Sequence, residues 1–270
     1  MTAGVPQKSL VSYIHKTTLR AVRTNVDDDQ AAFLRTASGP GAGAFLEVPL
    51  DDRWVMTNKR FAIATRRRLN LPYAGFDVAP PSLTCANTTA QGRVCAAPCD
   101  AADRHAECCA PGGGLVARHD GIVRCLGALA ARSLDPRTKL EQIVPELARP
   151  VGGQIGQARL DVIVHDGIER LLLDVVVVSA YAGDASYRSS CARRDGHASR
   201  RAAMAKRSRY PTPDLVPFAL ETGGRLGTDA RAFIVRMANA AEDRTAEMKY
   251  IQRAISSVLQ DGVARQLEAR

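Results

Sequence analysis

The stretch RLDVIV-HDGIE-RLLLDVVVV, residues 159–178, holds two apolar runs joined by a polar turn. Val- and Ile-rich runs on either side of a signal such as Asp166-Gly167 predict a β-hairpin. Each run contains one aspartate, Asp161 and Asp174, thirteen residues apart. A loop centred between Gly167 and Ile168 sets Asp161 directly opposite Asp174, with Cβ atoms roughly 4.5–5.5 Å apart. A two-residue turn at Asp166-Gly167 makes the two aspartates diagonal neighbours on the same face. In either register both carboxylates reach one divalent cation, and without a counter-charge they repel and resist burial. A plainer reading has one aspartate capping a strand and the other facing water. Against it, Asp174 is embedded in Leu171-Leu-Leu173 and Val175 to Val178. An apolar run of that length implies a strand covered on both faces.

The chain has 270 residues, of which 46% are hydrophobic, enough for a substantial core and too many for a mainly disordered protein. No apolar stretch approaches the roughly 20 residues that span a bilayer, so no membrane partner is expected. Met1 to Arg23 mixes Lys, Arg, His and polar residues and has no secretory pattern. A formal charge of +9 favours a polyanionic partner. The arginines cluster at Arg66-Arg67-Arg68, Arg193-Arg194 and Arg200-Arg201, and Lys206-Arg207 lies near Arg209.

Along the chain, residues 1–37 carry helical periodicity at Val11, Ile14, Leu19 and Val22. A Gly-rich loop over 38–43 follows, then a basic amphipathic helix from Trp54 to Leu71, stopped at Pro72. Residues 76–113 are rich in Pro, Gly, Thr and Cys and lack periodicity, and so long an irregular stretch needs a staple of its own. Beyond it the order is readable. A helix runs over Gly114–Leu134 and ends at Asp135-Pro136. A short strand or mixed segment spans Leu140–Leu147, and a loop holds Gly152-Gly153. The hairpin comes next, then a basic helix over Ser189–Arg209, a strand over Asp214–Glu221, and closing helices over Thr228–Asn239 and Glu247–Leu259. No internal repeat is visible.

Five of the seven cysteines fall between Cys85 and Cys109. Cys95, Cys99, His105 and Cys109 give C-x3-C-x5-H-x3-C, with Cys85 and Cys108 as further thiols. Four soft ligands within about 15 residues suit a tetrahedral zinc ion that folds a loop with no core. The alternative is a surface loop of free thiols, which would be open to oxidation.

These parts together resemble the C-terminal region of the reverse-transcriptase polyproteins of site-specific non-LTR retrotransposons, the type carrying a restriction-enzyme-like endonuclease. The resemblance rests on His105-Ala-Glu-Cys-Cys109, Gly112-Gly-Gly114, Arg118-His119-Asp120, Arg159-Leu160-Asp161 and Leu173-Asp174-Val-Val-Val. It extends to Val216-Pro-Phe-Ala-Leu-Glu221, Gly224-Arg-Leu-Gly227, Gly41-Ala-Gly-Ala-Phe-Leu46 and Arg66-Arg-Arg-Leu-Asn-Leu-Pro72. It runs from about residue 38 to the C-terminus. Arg93 stands where the family's knuckle has its first Cys, Leu160 replaces a Pro, and Val176 replaces the Lys two residues after the second acid.

The resemblance implies an α/β fold with a restriction-endonuclease-like core (α-β-β-β-α-β, mixed sheet) over 114–270. A helical linker region over 1–75 and a zinc-knuckle-like loop over 76–113 precede it. The chain would be detached from its polymerase and would act in the nucleus on DNA, with element RNA as a further partner. Asp161 and Asp174 would hold Mg²⁺ or Mn²⁺, with a third oxygen from Glu146 or a backbone carbonyl. In this family the lysine is often displaced onto the following helix, where Lys206 is the one available. Zinc would sit on Cys95, His105, Cys109 and either Cys99 or Cys85. Arg118, His119, Arg66, Arg67 and Arg68 would grip the DNA backbone. A second reading is a decayed nuclease fold that only binds nucleic acid, and a third is an unrelated α/β protein with structural zinc.

Overall fold

The computed structural model describes residues 25–71, 84–99, 104–151 and 154–268, with isolated positions between 13 and 22. Much of the helix read over 1–37 lies outside these residues, as do 76–83 and 100–103 of the Cys/His segment and Gly152-Gly153. What is described of the N-terminal part contains α1 (Asp28–Thr36) and α2 (Asn58–Arg68). Asp27 caps α1, its carboxylate accepting from the Gln30 N–H at 2.7 Å. Thr57 caps α2 in the same way through Arg60, so the basic helix begins four residues later than Trp54. Asp52–Trp54 forms a separate 3₁₀ turn.

The C-terminal part is built on a mixed four-stranded sheet. After α3 (Gly114–Ser133) come β1 (Lys139–Ile143), a small hairpin of β2 (Arg149–Val151) and β3 (Gln154–Gly156), then β4 (Arg159–Asp166) and β5 (Glu169–Val178). The basic helix read over 189–209 is two helices, α4 (Ala185–Arg193) and α5 (His197–Arg209). Gly196, at φ 68°, breaks them where an ordinary side chain would be strained. Then follow β6 (Leu215–Glu221), α6 (Thr228–Asn239) and α7 (Arg244–Glu268). Sheet order is β1-β4-β5-β6, antiparallel except for the parallel pair β5 and β6. Asp166 pairs with Glu169, so the β4–β5 loop is Gly167-Ile168, with Gly167 supplying the positive φ of 62°.

Alternation along β4 and β5 sends Val162, Val164, Leu171, Leu173 and Val175 to one face. There they pack with Ile122, Leu126 and Leu129 of α3, Phe218 and Leu220 of β6, Phe233 and Met237 of α6, and Ile251, Ile255 and Leu259 of α7. The i, i+4, i+7 spacing of the α3 residues explains why that helix lies along the sheet. Each fully buried aliphatic or aromatic side chain contributes about 1.5–3 kcal/mol. The other face carries Leu172, which packs with Val144, Leu160, Tyr210 and Leu215. α5 crosses this face on its way from β5 to β6 and packs on both. Among the described residues no helix is long and apolar enough to cross a membrane.

A buried ion pair ties the Cys/His loop to this sheet. Glu107, 4% exposed, accepts from Arg67 Nε at 2.7 Å on Oε1, and from the Ser179 and Thr222 hydroxyls on Oε2. Ser179 and Thr222 directly follow β5 and β6. Arg67 also donates to the Thr222 carbonyl and to Gln260 of α7, and its guanidinium lies over the Phe33 ring of α1. Nothing in the sequence marks Glu107 as special. Removing only one charge strands the other in a dry site. Glu107→Ala is therefore expected to lower stability by about 3–5 kcal/mol in urea denaturation, the usual scale for breaking a buried pair. Arg67→Met with Glu107→Met should cost clearly less than the two single changes summed.

Candidate active site and metal centre

Of the two registers open from the sequence, the hairpin takes the one whose loop is centred between Gly167 and Ile168. Its paired ladder ends at Val162 with Leu173, one residue short of Asp161 and Asp174. Both aspartates are buried, at 8% and 5% exposure. The Asp161 carboxylate reaches across to β5 and accepts the Val175 N–H at 2.6 Å on Oδ2. His119 Nε2 lies 3.3 Å from that same oxygen. Lys206 Nζ lies 2.6 Å from Asp174 Oδ1. Asp174 Oδ2 is buried and has no hydrogen-bond partner among the described residues.

The electrostatics follow from that crowding. Burial, reinforced by the Asp161 charge, pushes the Asp174 carboxyl above the ordinary carboxylate range, while Lys206 pulls it back. The hydrogen bond to Asp161 raises His119 to about 9 against the cost of its own burial. Two carboxylates thus face one ammonium and one imidazolium. Lys206 comes from α5, and Val176, paired with Ala219 of β6, holds the strand position where a motif lysine would stand.

Several candidates are placed elsewhere. Glu146 does not join the pair: it is half-exposed and bonded to Arg170 at 2.5 Å. Arg170 is four residues along β5 from Asp174, roughly 13 Å at about 3.3 Å per residue. The acid across the ladder from Asp161 is Glu141, between the pairs Leu140–Val162 and Gln142–Leu160. It sits at φ 55° and is ion-paired with Arg159 at 2.6 Å. A non-glycine residue in that region carries strain of order 1–2 kcal/mol, which sequence periodicity does not reveal.

The expected backbone grip is corrected as well. Arg118 is buried and donates to the Glu107 carbonyl and Gln266, so it cannot lie along a duplex. Arg67 is used by Glu107, and Arg68 is half-buried and donates to the Ala42 carbonyl at 3.1 Å. Arg66 borders a small cavity with Glu107 and Tyr181. His119 belongs to the carboxylate pair. The resemblance implies a DNA-gripping role for these residues, whereas tertiary neighbours take up Arg67, Arg68 and Arg118. Exposed arginines instead lie on α4, on α5 and just after α4, at Arg193, Arg194, Arg200, Arg201 and Arg209.

The Cys/His segment folds as a small antiparallel loop. Bridges Thr84–Pro98 and Thr88–Val94 and the bonds Cys85 N–H to Ala97 O and Cys95 N–H to Asn87 O bring Cys85 beside Cys95. Gly92, at φ 76°, lies at its tip. The 3₁₀ turn Arg104–Cys108 then delivers His105 and Cys109. Ligand atoms of Cys85, Cys95, His105 and Cys109 all lie within 4.8 Å of one another and could hold a metal such as zinc. The Cys85–Cys109 and Cys95–His105 separations are 3.5 and 3.3 Å. Bonds of about 2.3 Å to sulfur and 2.0–2.1 Å to nitrogen place tetrahedral ligand atoms about 3.5–3.8 Å apart, close to this arrangement. The fourth member of this cluster is Cys85 rather than Cys99, whose thiol turns to the Ala97 carbonyl. Asn87 donates to Cys109 Sγ at 3.3 Å, an outer contact that orients a ligand.

Metal analysis of freshly reduced protein should find about one zinc per chain. Cys85→Ser, Cys95→Ser and Cys109→Ser should each lose it, and Cys99→Ser should keep it. Full zinc loss in Cys99→Ser, with retention in Cys85→Ser, would reverse the assignment.

No family model and no curated protein matches this chain.

Proposed function

We propose that the chain is a divalent-metal-dependent DNA endonuclease domain of the retrotransposon type, nicking one strand at a site formed by Asp161, Asp174 and Lys206. The observation that carries this reading is the buried pair of aspartates on adjoining strands, close enough for the Asp161 charge to act on Asp174, with a lysine on one carboxylate and an orphaned oxygen, Asp174 Oδ2, beside it. An all-oxygen, anionic donor set suits a hard cation such as Mg²⁺ or Mn²⁺. When bound there, such an ion supplies a water of lowered pKa and neutralises charge on the phosphate.

The chain's own groups have separable roles. Asp161 and Asp174 hold the cation, and His119 and the Val175 N–H fix the orientation of Asp161. Lys206 keeps a compact ammonium at the acid pair, placed to steady charge that builds on a phosphoryl oxygen. The exposed arginines of α4 and α5 supply non-specific grip on the DNA backbone, in keeping with the net charge of +9. A second reading, a nuclease fold that only binds nucleic acid, is favoured by Val176 at the usual lysine position.

Supercoiled plasmid should be nicked with Mg²⁺ or Mn²⁺ and left intact with EDTA. Asp161→Ala or Asp174→Ala should abolish nicking and leave binding in a salt-dependent gel-shift assay almost unchanged. Lys206→Ala should slow nicking by about 10²–10³-fold, and Lys206→Arg should recover little of it. Wild-type protein that binds DNA yet nicks it with neither metal would establish the binding-only reading. Val176→Lys would then be the change to try.

A further inference from the structure

Arg118 is 3% exposed, yet both groups that its Nη1 bonds are neutral: the Glu107 backbone carbonyl at 3.1 Å and Gln266 Oε1 at 2.7 Å. Its Nε has no partner. A guanidinium taken out of water without a carboxylate in contact is costly, and it calls for an anion. Beside it is a cavity of about 460 Å³, within the range of small-molecule sites. Four arginines line this cavity, Arg53, Arg118, Arg124 and Arg265, against a single acid, Asp261. Arg53 and Arg265 are paired with Asp51 and Asp261, whereas Arg124 is exposed and has no carboxylate partner.

The cavity also receives the start of α3. Gly112 and Gly113, at φ 88° and 72°, lead into this twenty-residue helix, and Gly113 offers no side-chain cap to its first N–H groups. Nothing stands within 4 Å of where a Gly113 side chain would project. Bare N–H groups at the positive end of a long helix bind phosphate. Trp54, its Nε1 buried without a partner, and Val258 provide an apolar wall.

We propose that this cavity is a nucleotide site, with the phosphate monoester between the Gly113-Gly114 turn and Arg118 and the base against Trp54 and Val258. The ligand is a nucleoside monophosphate, either free or as the 5′-phosphorylated end of a polynucleotide. On the α3 wheel the lining residues Gly114, Ala117, Gly121 and Arg124 lie roughly 140–160° from His119, and Arg118 about 100° from it, so the site is separate from the acid pair.

Trp54 is the chain's only tryptophan, so its fluorescence reports on the cavity directly. Adenosine monophosphate should change that signal saturably, with a Kd below about 1 mM, and adenosine should not. Arg124→Ala should weaken binding by about 10-fold or more, the scale for losing one charged hydrogen bond, with an unchanged thermal melt. Arg124→Lys should retain most of it, and Asp174→Ala should bind as wild type does. A 5′-phosphorylated oligonucleotide that competes better than adenosine monophosphate assigns the source to polynucleotide ends, and the reverse order assigns it to free nucleotide. Absence of saturable binding, equal binding of adenosine, equal competition by a 5′-hydroxyl oligonucleotide, or an unaffected Arg124→Ala overturns the proposal.

Discussion

Two carboxylates on adjoining strands cannot both be buried in a sheet unless positive charge is brought to them. That constraint organises the middle of this molecule. Asp161 and Asp174 are carried there by strands whose remaining residues are needed by the core, so they cannot turn away without pulling Val162, Leu173 or Val175 out of it. Compensation comes from outside the hairpin: an imidazole from α3, an ammonium from α5 and one backbone N–H from β5. Even so, one carboxylate oxygen is left over. The two positive groups match the two carboxylates in number, so the unmatched element of the cluster is a lone pair rather than a charge.

The second organising contact is more distant from the chemistry. Glu107 lies two residues after His105 and two before Cys109, and its carboxylate is held by α2 and by the residues that follow β5 and β6. The Cys/His centre and the sheet therefore share a wall. Order in the metal loop is transmitted to the ends of the strands through a dry salt bridge rather than through a flexible linker.

Much of the central hairpin was legible in the sequence because it obeys local rules. A period of two, a Gly-containing turn and an unbroken apolar run on β5 suffice to give the hairpin and its register from Val162–Leu173 to Asp166–Glu169. The helix over 114–133 was legible for the same reason. The break at Gly196 was missed because arginines on both sides continue a helical pattern through it. Arg67, Arg68 and Arg118 were misread because charge says nothing about which neighbours will enclose it. Only the packing of α2 and α3 against Glu107, Ala42 and Gln266 decides that. Cys85 was open to choice against Cys99, since spacing along a chain cannot show a ladder closed by Thr84–Pro98 and Thr88–Val94.

The parallel pairing of β5 and β6 forces the chain to cross one face of the sheet between them, and the crossing helix is α5. The face it must cross is the one that carries Asp174. A cation can therefore reach that aspartate from a helix surface, where several positions one turn apart point the same way, instead of from one fixed strand position. Position 176 is thereby released from electrostatic duty and can hold a β-branched residue suited to a central strand. The topology separates the requirement for charge from the requirement for a well-formed sheet, so that each can be met by residues chosen for it alone.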